Sequence, residues 1–202
     1  MRELTVSMFV TLDGVMQAPG GPDEDREGGF AFGGWTAPFW DDDGDRFMDE
    51  TMTPPYDLLL GRKTYDIFSG YWPHHEDAPG AKPLNDATKY VASRGHPGLE
   101  WGPAVMLEGD VAEAIATLKD EEGPGLLVYG SGDLLQTVIR ASLVDRYRLM
   151  IFPVVLGSGK RLFGDGTIPA GLRLTDGRVS GSGVFMGMYE PAGDVRTGTV
   201  EP

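Results

Sequence analysis

Leu58-Leu59-Leu60-Gly61-Arg62-Lys63-Thr64-Tyr65 runs from an apolar segment straight into a glycine, two cations and a hydroxyl. Asp57 to Leu60 reads as a short buried strand, and Thr64 is placed to cap a helix over Tyr65 to Ser69. A strand that hands a glycine and cations to a helix start makes a good anion site. The free N–H groups and the positive end of the helix dipole point the same way there. The alternative for this segment alone is a plain helix start with two solvated cations.

The same pattern recurs outward from this stretch. Gly125 to Tyr129 reads as a strand, followed by Gly130-Ser131-Gly132-Asp133 and a helix over Leu134 to Ala141. Glycines there let a pyrophosphate approach the backbone, but the third glycine of the dinucleotide fingerprint is missing, so a plain tight turn stays open. A strand over Lys89 to Ser93 ends in Ser93-Arg94, a hydroxyl and a guanidinium suited to a second phosphate, or to an ordinary loop. A long strand over Val144 to Val155 runs into Gly157-Ser158-Gly159-Lys160-Arg161, again glycines and cations, or simply a basic turn. Taken together, these junctions point to a phosphate-bearing ligand.

The remaining pattern supplies the scaffold. Leu4 to Leu12 reads as a buried first strand, broken by Asp13-Gly14. Residues 17 to 38, rich in Gly, Pro and acids, read as a long loop, either functional or a mobile insertion. Trp40 to Met52 reads as a helix with Asp41, Asp42 and Asp43 at its positive end and Pro54-Pro55 as its stop. Residues 71 to 83 read as a polar, Pro-rich connection. Ala104 to Leu107 is a further strand, and Asp110 to Lys119 an amphipathic helix with Val111, Ile115 and Leu118 on one face. Leu172 to Val179 and Val184 to Tyr189 form a closing hairpin about Gly181-Ser182-Gly183. Alternating strands and helices predict an α/β fold with a mostly parallel sheet covered on both faces, and the hairpin predicts an antiparallel edge. One domain is expected over residues 1–190, with a loose polar tail over 191–202.

Composition excludes several classes. Hydrophobic residues make up 41% of the 202 residues, enough for a real core. There is no cysteine, which removes disulfides, thiolate metal sites and a cysteine nucleophile. A net charge of -14 argues against nucleic acid as a partner. No apolar run approaches a membrane span and Met1-Arg2-Glu3-Leu4-Thr5 opens no leader, so a cytoplasmic, membrane-free protein is expected. His74-His75-Glu76-Asp77 is rich in ligand atoms but lacks helical i, i+4 spacing, so no metal site is expected.

Val10 to Val15 (V-T-L-D-G-V), Leu60 to Tyr65 (L-G-R-K-T-Y), Lys89 to Arg94 (K-Y-V-A-S-R), Tyr129 to Leu134 (Y-G-S-G-D-L) and Pro153 to Phe163 (P-V-V-L-G-S-G-K-R-L-F) occur in that order. This series resembles the dihydrofolate reductase-like superfamily, and within it the branch holding the reductase domain of riboflavin biosynthesis, the RibD C-terminal domain. The resemblance covers Leu4 to Tyr189. It implies a three-layer αβα dihydrofolate reductase-like fold with a central mixed sheet of about eight strands. It also implies NADPH as hydride donor and a small pyrimidine- or pteridine-type substrate. Dihydrofolate reductase proper and a non-catalytic nucleotide-binding module are the alternatives. By the same resemblance Gly61, Arg62, Lys63, Thr64, Ser93 and Arg94 hold the adenosine phosphates. Gly130, Ser131, Gly132, Asp133 and Leu134 follow the pyrophosphate, and Val15 and Met16 cover the nicotinamide. Asp13, Gly157, Lys160 and Arg161 fall to the substrate side, with Lys160 and Arg161 gripping a ribosyl phosphate. Counting back without gaps from Gly61, the carboxylate on the first long helix that binds and helps protonate the substrate corresponds to Asp45. A homodimer through the late antiparallel strands is a further implication.

Overall fold

Leu58, Leu59 and Leu60 are all fully buried, so this strand is covered on both faces. It is β2 (Tyr56–Gly61), and it lies inside an eight-stranded sheet of order β4-β3-β2-β5-β1-β6-β8-β7. The others are β1 (Leu4–Thr11), β3 (Lys89–Ala92), β4 (Ala104–Met106), β5 (Gly125–Val128), β6 (Arg146–Phe152), β7 (Leu172–Val179) and β8 (Phe185–Pro191). The computed structural model describes residues 1–53, 55–95 and 98–200. β1 to β6 run parallel, and β8 pairs antiparallel with both β6 and β7.

Period-two alternation sends neighbouring residues of each strand to opposite faces. Val6, Val10, Leu59, Val128 and Leu149 pack against Ile115 and Leu118 of α4 (Val111–Asp120) and Leu135 and Val138 of α5 (Gly132–Arg140). On the other face, Leu58, Leu60 and Leu127 meet Tyr65 of α2 (Arg62–Ser69) and Leu84 of α3 (Ala81–Asp86). Met150 and Phe152 meet Phe47 of α1 (Asp42–Met52) and Phe30 and Trp35 of the long loop. The three αβα layers and the antiparallel C-terminal edge are those expected from the sequence.

Four local expectations change. Thr64 does not cap α2: Gly61 is the cap residue, with extended backbone and no side-chain cap bond, and Thr64 is buried in the first turn. Residues 17–38 are no loose insertion. Trp35 and Phe30 are buried, Trp35 Nε1 donates to Gln17 O at 2.8 Å and Thr36 Oγ1 to Pro19 O at 2.7 Å. The Pro-rich connection holds α3, whose Pro83 sits in the first turn where no N–H is needed. β6 stops at Phe152 because Pro153 has no N–H to continue the ladder.

α1 starts where the acidic run requires. The Asp41 carboxylate accepts from Asp43 N at 3.2 Å and Gly44 N at 3.1 Å, and its other oxygen accepts from Ser182 N at 3.0 Å in the β7–β8 turn. Hydrogen bonds from Ser182 and Gly44 hold this carboxyl down at about 2. α1 ends at Met52 with Pro55 just beyond, while Pro54 lies outside the described residues, as do residues 201 and 202 of the expected tail.

Candidate active site

The strand order turns at β1, which has β5 on one side and β6 on the other, with Val6 opposite both Val128 and Tyr147. Ligands of open α/β sheets bind beyond the carboxyl ends of strands at such a point. Here those ends carry two interlocked glycine turns. Gly61 N donates to Gly130 O at 3.1 Å. A Cβ on Gly61 would overlap Ser131 Oγ, and one on Gly130, at φ +134, would lie 2.7 Å from Thr64 Oγ1. Only glycine allows this approach, and it sets the N-termini of α2 and α5 side by side. Two helix starts together offer several free N–H donors to one anion.

Exposed cations ring the same strand ends. Arg62 pairs with Asp66 at 2.7 Å and donates to Gly98 O at 3.2 Å. Arg94 pairs with Asp133 at 3.1 Å, and Ser93 Oγ accepts from Gly95 N at 3.3 Å. Both ion pairs are solvent-facing and therefore weak, so they exchange readily for a phosphate.

From these helix starts a cleft of about 690 Å³ opens toward α1. Ser7, Met8 and Phe9 of β1 and Tyr129 form its floor, and Met16 with the loop behind it forms one wall. Met48, Met52, Phe68 and Trp72 make the far wall apolar, and Asp45 stands among them. The Trp40 indole donates to Asp45 Oδ1 at 2.7 Å, and its ring packs edge-on to Phe9 at 5.6 Å. The carboxylate is thus held at Oδ1, and among the described residues nothing bonds its other oxygen.

Opposite, four charges meet. Lys63 Nζ lies 2.6 Å from Asp25 and 3.0 Å from Glu27, and Lys160 Nζ lies 2.8 Å and 2.6 Å from the same two side chains. Gln17 Nε2 donates to the main-chain oxygens of Asp25 and Glu27, and Gln17 Oε1 accepts from Lys160 N at 3.0 Å. Burial pushes the Asp25 carboxyl up, but the hydrogen bonds from Lys160 and Lys63 outweigh it and hold the group at about 2. Burial lowers the Lys63 ammonium, yet its bonds to Asp25 and Glu27 leave it above its ordinary value.

Of the residues singled out in the sequence, Met16, Asp45, Lys63, Thr64, Gly130, Ser131, Gly132 and Lys160 all line the cleft. Gly61, Arg62, Ser93, Arg94 and Asp133 sit at the strand ends beside it. Val15 is buried behind Met16, and Leu134 lies in the core against the sheet. Asp13 accepts from Gly157 N at 2.8 Å and Leu156 N at 3.2 Å and pairs with Arg161 at 3.5 Å. The bond from Thr11 Oγ1, reinforced by those from Gly157 and Leu156, lowers its carboxyl. Asp13, Gly157 and Arg161 therefore fasten two turns together outside the cleft lining. Sequence reasoning did not single out Ser7, Gln17, Asp25, Glu27 or Trp40. The partners of Asp25 and Glu27, Lys63 and Lys160, are distant in the chain, so no local spacing marks those two carboxylates.

Residues 2–186 match the family model of the RibD C-terminal domain. The uncharacterized protein YyaP of Bacillus subtilis (strain 168) is 31% identical over 196 residues, covering 93% of this chain and 94% of that protein. A putative riboflavin biosynthesis protein from Shewanella sp. PV-4 superposes with a TM-score of 0.64 at 19% identity, over 94% of this chain and 98% of that one. A dihydrofolate reductase from Enterococcus faecalis, complexed with NADP(H) and RAB-propyl, superposes with a TM-score of 0.59 at 15% identity, over 94% and 96% of the chains. Those two likenesses establish a dihydrofolate reductase-like fold. The family match, which spans β1 to β7, both glycine turns and the cleft, means that this chain belongs to the RibD C-terminal domain family.

Proposed function

We propose that the chain is an NADPH-dependent reductase of a small heterocyclic substrate of pyrimidine or pteridine type. One observation carries the reading: two abutting helix N-termini open into a cleft whose far wall presents a positioned carboxylate, Asp45. The residues present fit NADPH. Gly61 and Gly130 let the two turns abut, which sets the starts of α2 and α5 side by side, while Arg62 and Arg94, with the Ser93 hydroxyl, form a cationic rim in an otherwise acidic protein. Arg62, Ser93 and Arg94 bind the phosphate that separates NADPH from NADH. The N–H groups at Gly132, Asp133 and Leu134 meet the pyrophosphate. Met16, backed by Val15, excludes water from the reacting ring.

NADPH supplies the hydride when bound. Asp45, with one oxygen tied to Trp40, uses the other to hold a ring N–H of the substrate or, once it has taken a proton from water, to pass that proton to the reduced ring. No helix among the described residues is long and apolar enough to cross a membrane, in keeping with an enzyme of the cytoplasm. The edge strand β7 leaves Leu172, Leu174 and Val179 exposed, and we assign to this edge the contact of a homodimer, which light scattering would report as twice the chain mass.

The test is Asp45→Asn. NADPH consumption with a responsive pyrimidine, pteridine or quinone should fall about 100-fold or more while NADPH affinity holds. Unchanged turnover would remove Asp45 from the reaction. Cofactor binding without turnover of any such compound by the unaltered protein would favour a binding module.

A further inference from the structure

We propose that the substrate half of the cleft takes a flat aromatic ring that carries no phosphate or carboxylate. This rests on the reductase reading of the cleft and narrows its substrate. Lys63 and Lys160 are the cations lining the cleft among the described residues, and each is bonded to both Asp25 and Glu27. Two positive and two negative charges cancel. A ligand phosphate would find each ammonium already bonded to two carboxylates, with one N–H donor left on each and both negative charges beside it.

Displacement is opposed by how the loop is built in. Phe30 and Trp35, on the same loop, are buried at 7% and 6% exposure against Phe152 and its neighbours. Gln17 ties the main chain at Asp25 and Glu27 to Lys160 N. The Asp25 side chain is 11% exposed, too sheltered for salt to screen it fully. Asp25 is therefore a fixed part of the wall, not a lid waiting for an anion, and Glu27 completes the pairing from the solvent side, outside the lining. The other charged groups on the lining are Glu24, Asp45 and Asp49, all carboxylates that repel an anionic ligand. Most of the remaining surface is apolar, and it includes the aromatic side chains of Trp40, Phe68, Tyr71 and Trp72. Flat rings stack on such walls. The cofactor's 2′-phosphate is assigned to Arg62, Ser93 and Arg94 outside the lining and its pyrophosphate to the N–H groups at the start of α5, so neither relies on the neutralised lysines.

Riboflavin and its 5′-phosphate, FMN, test this directly, because they share one ring and differ by a phosphate. Binding is read by flavin fluorescence, with NADP⁺, which cannot reduce the flavin, and again without it. The native protein should bind riboflavin at least about tenfold more tightly than FMN, a gap of about 1.4 kcal/mol. Asp25→Asn combined with Glu27→Gln frees both lysines and should close or invert that gap. Equal or tighter binding of FMN by the native protein, no binding of riboflavin, or a gap unchanged in the variant would each overturn the proposal. The native ratio decides alone if the double variant does not fold. An absent response to NADP⁺ would count against the reductase reading, while the cofactor-free ratio would still judge the ring.

Discussion

Trp40 and Asp45 form a fixed pair: the indole N–H sits 2.7 Å from Asp45 Oδ1 while the ring is braced edge-on against Phe9. Trp40→Phe keeps the apolar contact and deletes the hydrogen bond. Turnover should drop about tenfold with thermal stability nearly unchanged, since one solvent-facing hydrogen bond is worth only about 1 kcal/mol. The pH dependence of kcat should shift as well. A variant with native kcat and pH profile would show that the pair does not position the carboxylate.

The loop over the cleft should loosen in acid. Asp25 titrates at about 2 in the fold against an ordinary 3.8, so its contribution is fully present above 3.8 and is lost as pH falls through about 2. Urea unfolding from pH 5 to pH 2 should show a steeper loss for the native protein than for Asp25→Asn. Parallel curves would contradict the assignment of that charge to Lys63 and Lys160.

Lys89 gives a pH effect of opposite sign. It is fully buried, donates to Asn85 O at 2.6 Å and lies 4.2 Å from the centre of the Trp101 ring. Burial pushes its ammonium down to about 8 from 10.5. Between those values the unfolded chain binds the extra proton, so stability should rise with pH from about 8 to 10. Lys89→Met should flatten that rise, and an identical slope in the variant would rule Lys89 out as its source.

Two glycines with positive φ should respond unequally. Gly130→Ala sets a Cβ 2.7 Å from Thr64 Oγ1 at φ +134, whereas Gly157, at φ +77, has nothing within 4 Å. The first should cost roughly 1–3 kcal/mol or more and weaken cofactor binding. The second should cost about 1 kcal/mol through backbone strain alone. Equal losses in urea unfolding would mean that the close approach of the two turns does not matter.

The sequence was most readable where chemistry is local. A continuous apolar run, Leu58 to Leu60, placed β2, the acidic run placed the start of α1, and glycines after strands located the two helix starts that face the cleft. It was least readable where charges pair across the fold. Lys160 reads as a phosphate grip next to Gly159, yet its partners Asp25 and Glu27 come from a loop whose composition resembles an unstructured insertion. Thr64 has the residue type of a cap, but the turn it enters is set by contact with Gly130, which no spacing encodes. The resemblance puts Asp13 on the substrate side, and only the fold shows it clasping the turn at Leu156 and Gly157.

The most direct test of the reductase reading is binding of NADPH against NADH, followed by thermal shift on the native protein, Arg62→Ala and Arg94→Ala. NADPH should stabilise the native protein more than NADH does, and both substitutions should erase that preference. No stabilisation by either nucleotide, or a preference that survives both substitutions, would contradict the cofactor site described at the ends of β2, β3 and β5.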